Sequence, residues 1–273
     1  MYEHTSPFHR IKVTDNNGVR LLKLERNQQS SMRLDDPFES DIEYVAYFHL
    51  ALAVQPKATR VLAIGLGGGS VVKRMWRDYP EMRIDAVEVD PEVVDVAYEL
   101  FNLPRDERIR VIVGDGREVL RCSNDTYDVV IVDAFDDDRI PPHLLTEQFL
   151  YEVRDHLSPD GVVVYNVIGS VHGDHSKPFR SFYRTLANVW GNVWLFPVGL
   201  WANGPIMLAF GGNIIVLASD IELSVGELLT RIANRVNGRV TVKSFGLLGK
   251  DLYQGQIRSG DVPILSDPPK RKR

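Results

Sequence analysis

Four short apolar runs in this chain each end on glycine or a carboxylate, and together these ends outline a site. Val61-Leu-Ala-Ile leads into Gly65-Leu-Gly67-Gly68-Gly69, and Ile84-Asp-Ala-Val ends on Glu88. Ile109-Arg-Val-Ile-Val leads to Gly114-Asp115-Gly116, and Tyr127-Asp-Val-Val-Ile-Val leads to Asp133-Ala-Phe-Asp136. Glycines at a strand-to-helix turn let the backbone approach a ligand closely, because no Cβ intervenes. An acid at the position of Glu88 suits hydrogen bonds from ribose hydroxyls. Asp115 can accept from the exocyclic amine of an adenine, and reads equally as a helix N-cap. Asp133 closes a very apolar strand. Partial burial and nearby acids would raise its pKa, which suits a carboxylate that must take a proton. Asp136 is assigned to the site, whereas Asp137 and Asp138 read as either site or solvated loop. The combination points to an adenosine-containing ligand.

These strand ends require a scaffold. From residue 61 the chain alternates strand and helix signals. Strands are expected at 61–65, 84–88, 109–113, 128–132 and 161–167, with helices near 69–79, 91–101, 116–121, 143–157 and 177–190. Two later strands are expected at 193–198 and 213–219, and a helix near 224–236. The strands are nearly continuous Val/Ile runs, the pattern of a parallel sheet covered on both faces. Ligands bind such sheets at the carboxyl ends of the strands, where the four runs end. Asp90-Pro91 marks a helix start and Ser158-Pro-Asp-Gly161 a turn. Near the N-terminus, two alternating runs flank Asp15-Asn-Asn-Gly18 and read as a β-hairpin. Gln28 to Pro37 reads as a polar connection, and Ile42 to Val54 as a helix ending before Pro56. The expected organisation is a hairpin region over 1–40, an α/β domain over 41–266, and a disordered basic tail over 267–273.

Composition narrows the function classes. With 44% hydrophobic and 25% charged residues among 273, the chain suits a globular protein with a large core. A net charge of −5 gives no reason to expect nucleic acid and favours a small cationic partner. No apolar run is long enough to span a membrane, and no signal-peptide pattern is evident, so a cytoplasmic location is expected. The single cysteine, Cys122, excludes an internal disulfide and is read as a packing residue. Trp190, Trp194 and Trp201 are read as core or interface. His172-Gly-Asp174-His175 only loosely resembles a metal-ligand spacing, and no metal is expected. A serine hydrolase would need a nucleophile elbow, which the sequence lacks.

With these residues assembled, the chain resembles the spermidine synthase (polyamine aminopropyltransferase) family. The marks are the glycine turn, Val87-Glu88-Val-Asp90, Gly114-Asp115-Gly116 and Asp133-Ala-Phe-Asp136, with Phe196-Pro197-Val-Gly199-Leu-Trp201 similar to a segment of the family's amine pocket. The resemblance implies an α/β, Rossmann-like S-adenosylmethionine-dependent methyltransferase fold. Its sheet would be mostly parallel and seven-stranded, preceded by a small N-terminal β-hairpin domain. It also implies transfer of an aminopropyl group from decarboxylated S-adenosylmethionine to a diamine such as putrescine, without a metal. Gly65, Gly67, Gly68 and Gly116 would then border the nucleoside, Glu88 would hold the ribose and Asp115 the adenine. Asp133 would deprotonate the amine, and Asp136 would help hold it. Gln29 matches a glutamine near the nucleoside, with Gln28 as a competing alignment, and Pro142 falls in the loop against the adenine. Dimers are common in the family, so a homodimer is expected.

Some positions depart from the family pattern. Gly68 stands where an aspartate normally meets the donor's amino group, Phe196 replaces a tyrosine, and Asn166 replaces a glutamine. An aromatic-polar dipeptide is not reproduced cleanly at Glu43-Tyr44. Asp35, Asp36, Glu39, Asp41 and Glu43 are candidate replacement acids. Two other readings therefore stand beside the first: a methyltransferase using intact S-adenosylmethionine, and a nucleoside-binding relative without catalysis.

Overall fold

The computed structural model describes residues 1–136, 139–204 and 207–269. Strands β1 (Tyr2–Thr5), β2 (Arg10–Asn16), β3 (Val19–Leu24) and β4 (Asn27–Arg33) form an antiparallel sheet in chain order. Asn17 and Gly18, at φ 48° and 78°, make the two-residue turn between β2 and β3. The expected hairpin is thus the centre of a larger sheet, and the polar connection after Asn27 is itself a strand. Its sequence, Asn-Gln-Gln-Ser-Ser-Met-Arg, hid it because the buried positions are Ser30, Ser31 and Met32. Small hydroxyls serve there: Ser30 Oγ accepts from the Gly68 amide, and Ser31 Oγ from the Asp41 amide. One face of this sheet packs Ile11, Val13, Leu22 and Leu24 against Val93, Val96 and Phe101.

The helix expected over 42–54 begins as a 3-10 helix, Glu43–Leu50, and only then becomes α1 (Ala51–Val54). Strands β5 (Arg60–Ile64), β6 (Arg83–Glu88), β7 (Ile109–Val113), β8 (Tyr127–Val132), β9 (Leu157–Gly169), β10 (Asn192–Pro197) and β11 (Gly212–Ser219) follow. They form a seven-stranded sheet in the order β10-β11-β9-β8-β5-β6-β7. β5 to β9 pair in parallel, and β10 and β11 are antiparallel additions. Helices α2 (Ser70–Asp78), α3 (Pro91–Glu99), α4 (Gly116–Cys122), α5 (Glu147–Asp155) and α6 (Lys177–Val189) lie between the strands. Alternate residues of the Val/Ile runs serve two separate cores. Ala63, Val129 and Ile131 face one, and Leu62, Val130 and Val132 face the other. That division explains why the runs do not alternate in polarity.

The Ser158–Gly161 turn signal lies inside β9. Tyr127 pairs with Leu157 but Val129 pairs with Val162, so the extra residues bulge out opposite Asp128, whose Oδ1 accepts from Ser158 Oγ at 2.9 Å. The bulge absorbs the turn chemistry without ending the strand.

Asp267, assigned to the tail by sequence, is anchored; residues 270–273 lie outside the described residues. Arg117, only 4% exposed, donates to both oxygens of Asp267 at 2.7 Å and to both of Glu152 at 2.8 and 2.7 Å. Truncating Arg117 takes the bidentate partner from both acids, leaving Glu152 with Arg121 and Asp267 with the Thr146 hydroxyl. Since the acids retain some solvent, Arg117→Ala is expected to cost about 2–3 kcal/mol. Thermal unfolding checks the cost, and faster proteolysis after residue 260 checks the release of the C-terminal segment.

Candidate nucleoside and amine site

The sheet reverses direction of growth at β5: β6 and β7 lie to one side, β8 and β9 to the other. Such a switch point opens a crevice at the carboxyl ends, here between the glycine turn and Asp133. Gly65 has φ 96°, and a Cβ there would sit 2.3 Å from the Asp133 carbonyl oxygen. Only glycine lets the two strand ends approach this closely. Glu88 shapes the turn from the neighbouring strand: its Oε2 accepts from Leu66 N at 3.0 Å and Gly67 N at 3.3 Å, and its Oε1 from Asp90 N at 3.2 Å. The carboxylate is 8% exposed, at the wall of the cavity.

This cavity is about 540 Å³, within the range of small-molecule sites. It brings together Gly65, Gly67, Glu88, Asp115, Gly116, Asp133 and Asp136 with Pro142, Gln29 and Tyr44. Gln29 rather than Gln28 reaches it. A bulge in the β3–β4 register, where Leu22 faces Ser30 and Lys23 faces Gln28, leaves Gln29 turned inward. Gly116 packs against Ile64, whose Cγ2 would lie 2.3 Å from any Cβ at that position. Asp115 is an N-cap as well as a cavity residue. Its Oδ1 accepts from Arg117 N and Glu118 N at 2.9 and 3.1 Å, while Oδ2 lies 2.8 Å from His143 Nε2.

Asp133 lies where the glycine turn, β9 and the 3-10 helix converge. Asn166 Nδ2 donates to its Oδ1 at 2.9 Å. Burial pushes the carboxyl from 3.8 up to about 6, with the Asn166 hydrogen bond opposing the rise. The Tyr44 hydroxyl is held well above the ordinary phenol range, by burial first and by the charge of Asp133 second. Asp136 is exposed at the rim, in a backbone bridge with Arg139. Asp137 and Asp138 lie outside the described residues.

Two assigned residues do not reach the cavity. Phe196 is fully buried in the hydrophobic core, because its place on β10 directs it with Trp194 toward the core beneath the sheet. Gly68 is covered rather than exposed to ligand. Its amide donates to Ser30 Oγ at 2.9 Å, and a Cβ would lie 2.7 Å from Phe101 Cδ1. Three of the five candidate replacement acids are engaged elsewhere: Asp35 pairs with Arg33, Asp36 with Arg77, and Glu39 with Arg74. Cys122 is exposed instead of packed, and Trp201 is 63% exposed. His172 meets the Tyr253 hydroxyl at 2.7 Å. Among the described residues no group of three His, Cys, Asp or Glu is placed to hold a metal.

Sequence reasoning missed the contribution of the β1–β2 loop. Pro7, Phe8 and His9 line the cavity, and the loop is tied down where Asp90 Oδ2 accepts from Ser6 Oγ at 2.5 Å and lies 3.3 Å from His9 Nδ1. No local signal marks these residues, since they meet the site only through sheet packing.

A family model described as the spermine/spermidine synthase domain matches residues 42–176. The polyamine aminopropyltransferase of Chromobacterium violaceum is 31% identical over 234 residues, covering 84% of this chain and 84% of that protein. The chain belongs to the spermine/spermidine synthase family. A second family member, the polyamine aminopropyltransferase of Neisseria meningitidis, is 32% identical over 206 residues, covering 74% of this chain and 76% of its own. The matched region spans less of some family members, 62% of the Vibrio vulnificus protein and 33% of the Bifidobacterium longum one. Among solved structures, a probable spermidine synthase from Corynebacterium glutamicum superposes with a TM-score of 0.77 at 20% identity, over 100% of this chain and 98% of that one. Human methyltransferase-like protein 13 in complex with SAH gives 0.57 at 23% identity, over 72% of this chain and 89% of that one. These likenesses agree with the α/β fold and its mostly parallel seven-stranded sheet.

Proposed function

We propose that this family member is a polyamine aminopropyltransferase, using decarboxylated S-adenosylmethionine as donor and a diamine such as putrescine as acceptor. The observation that carries the reading is Asp133, a desolvated carboxylate with a pKa near 6 on the wall of a cavity that also contains Glu88 and Asp115. The acceptor arrives as an ammonium and must lose a proton before its nitrogen can attack. In the proposed reaction Asp133 takes that proton, a C–N bond forms at the methylene beside the sulfonium, the C–S bond breaks, and methylthioadenosine leaves. Asp136 at the rim suits the diamine's far ammonium. Gln29 and Tyr44 border the transferred chain, while Glu88 takes the ribose and Asp115, beside Gly116 and Pro142, the adenine. A cytoplasmic homodimer that needs neither metal, membrane nor nucleic acid completes this reading.

One observation favours a second reading, methyl transfer from intact S-adenosylmethionine. The filled space at Gly68 leaves no room in the turn for a carboxylate that would attract the donor's ammonium and repel a donor carboxylate. Calorimetry with both donors and with methylthioadenosine, followed by product assays over a panel of diamines, separates the two. No preference for the decarboxylated donor and no product with any diamine would remove the first.

The ribose assignment has its own test. Glu88→Ala is expected to weaken both donors and methylthioadenosine alike, by roughly 10- to 100-fold for a lost charge-assisted pair of hydrogen bonds. Calorimetric affinities equal to those of the unaltered protein would refute it.

A further inference from the structure

We propose that Asn166 and Asn213 form a positioning relay that holds the Asp133 carboxylate in its proton-accepting orientation. The inference rests on the function proposed above. Sheet register assembles the relay. Val132 pairs with Tyr165 in parallel, so Asp133 and Asn166 are the next neighbours along β8 and β9. On the other side, Ile215 faces Asn166 and Asn213 faces Ile168, which makes Asn213 the diagonal neighbour of Asn166 on the same sheet face.

The hydrogen bonds have a direction. Asn166 is fully buried, its Nδ2 donates to Asp133 Oδ1 at 2.9 Å, and its Oδ1 accepts from Asn213 Nδ2 at 2.8 Å. An ionised carboxylate can only accept, so Asn166 must turn its NH2 toward Asp133. That leaves a buried carbonyl oxygen at the other end, and Asn213 supplies its donor. Flipping Asn166 would set carbonyl against carboxylate and NH2 against NH2, so Asn213 fixes the amide in the useful sense. Neither asparagine carries the proton; both act through Asp133.

Other ionisable groups border the same cavity, and each is unchanged by a substitution at Asn213. Tyr44 approaches from the 3-10 helix and Asp136 from the segment that carries Asp133. Glu88 and Asp115 stand on the neighbouring strand ends, and His9 and His143 line the same cavity. The asparagine side chain is therefore the element that can be reversed alone.

The test is a pH titration of the Asp133 carboxyl by carbon NMR, assigned by comparison with Asp133→Asn, run beside the pH profile of kcat/KM. Asn213→Asp replaces the donor by an acceptor and should reverse Asn166. It is expected to raise the Asp133 midpoint by about one pH unit, a tenfold change in proton affinity. The acidic limb of kcat/KM should move up by the same amount. Asn213→Leu should give a smaller shift, and Asn213→Gln, which keeps an amide donor, should restore the original midpoint. Methylthioadenosine affinity should stay within about twofold, because the nucleoside groups are untouched. An unmoved midpoint in Asn213→Asp overturns the relay, as does a loss of methylthioadenosine affinity with no change in midpoint. A shifted midpoint in a protein that transfers no aminopropyl group would remove the proposed function and leave the relay supported.

Discussion

Asn in place of Asp133 is expected to lower aminopropyl transfer by roughly 10²- to 10⁴-fold, the usual contribution of a positioned general base. Methylthioadenosine affinity should remain nearly intact, because Glu88 and Asp115, the groups proposed to hold the nucleoside, stand on other strand ends. The unaltered protein should lose kcat/KM as pH falls through about 6, where the carboxylate becomes protonated from solvent and can no longer accept the proton of the substrate ammonium. Equal losses of turnover and nucleoside affinity in Asp133→Asn would instead make the residue structural.

The same substitution has a consequence for stability, and its sign follows from linkage. Folding raises the Asp133 pKa from 3.8 to about 6, so the folded state binds this proton more tightly than the unfolded chain does. Ionising Asp133 therefore destabilises the folded protein. The cost is absent below pH 3.8, grows between there and pH 6, and is complete above. Asp133→Asn should accordingly raise Tm at pH 7.5 and leave it little changed near pH 4. A carboxylate retained at this energetic cost fits a group kept for chemistry rather than packing. A melting temperature lowered at pH 7.5 would contradict the desolvation account.

Gly65→Ala is expected to be the most damaging of the glycine substitutions at the site. The new methyl would sit 2.3 Å from the Asp133 carbonyl oxygen and 2.7 Å from its carbonyl carbon, at a backbone φ of 96°. Both contacts are to backbone, which cannot rotate away as a side chain can. Strain and overpacking together should cost about 2–5 kcal/mol. In a chain of this size that is a fall of roughly 5–15 °C in Tm. Activity should fall further than stability explains, because relief of the clash moves the very segment that carries Asp133. Gly18→Ala is the control. It has φ 78° but nothing within 4 Å of the added methyl, so it isolates conformational strain from the clash. Comparable Tm losses in the two variants would show that the close approach of β5 and β8 is not what requires Gly65.

How much of this was legible without coordinates depends on the range of each signal. The five parallel strands were readable because continuous Val/Ile runs are local. Their ends identified Gly65, Glu88, Asp115 and Asp133, since a parallel sheet delivers its strand ends to one rim. All four border one cavity. Asp115 could be read both as N-cap and as cavity residue, and it occupies both positions at once.

Other features depended on what packs against what. β4 carries serines that accept from the backbone amides of Gly68 and Asp41, so their burial has no hydrophobic signature. Gln29 was separated from Gln28 by a bulge in the register. Phe196 resembled an amine-site residue in sequence, yet strand pairing turned it into the core. Gly68, read as a ligand contact, is sealed by Ser30 and Phe101, which come from 38 and 33 residues away in the chain. His9 meets the site from the first sheet, and Asn213 meets Asn166 from across 47 residues. The sequence by itself determined the scaffold, the glycine and carboxylate strand ends, and the place of Asp133, the proposed proton acceptor, because these follow from periodicity and from where strands stop. Only tertiary structure decided which polar side chains surround that acceptor and how they are oriented, because register and sheet packing join residues that no local pattern connects.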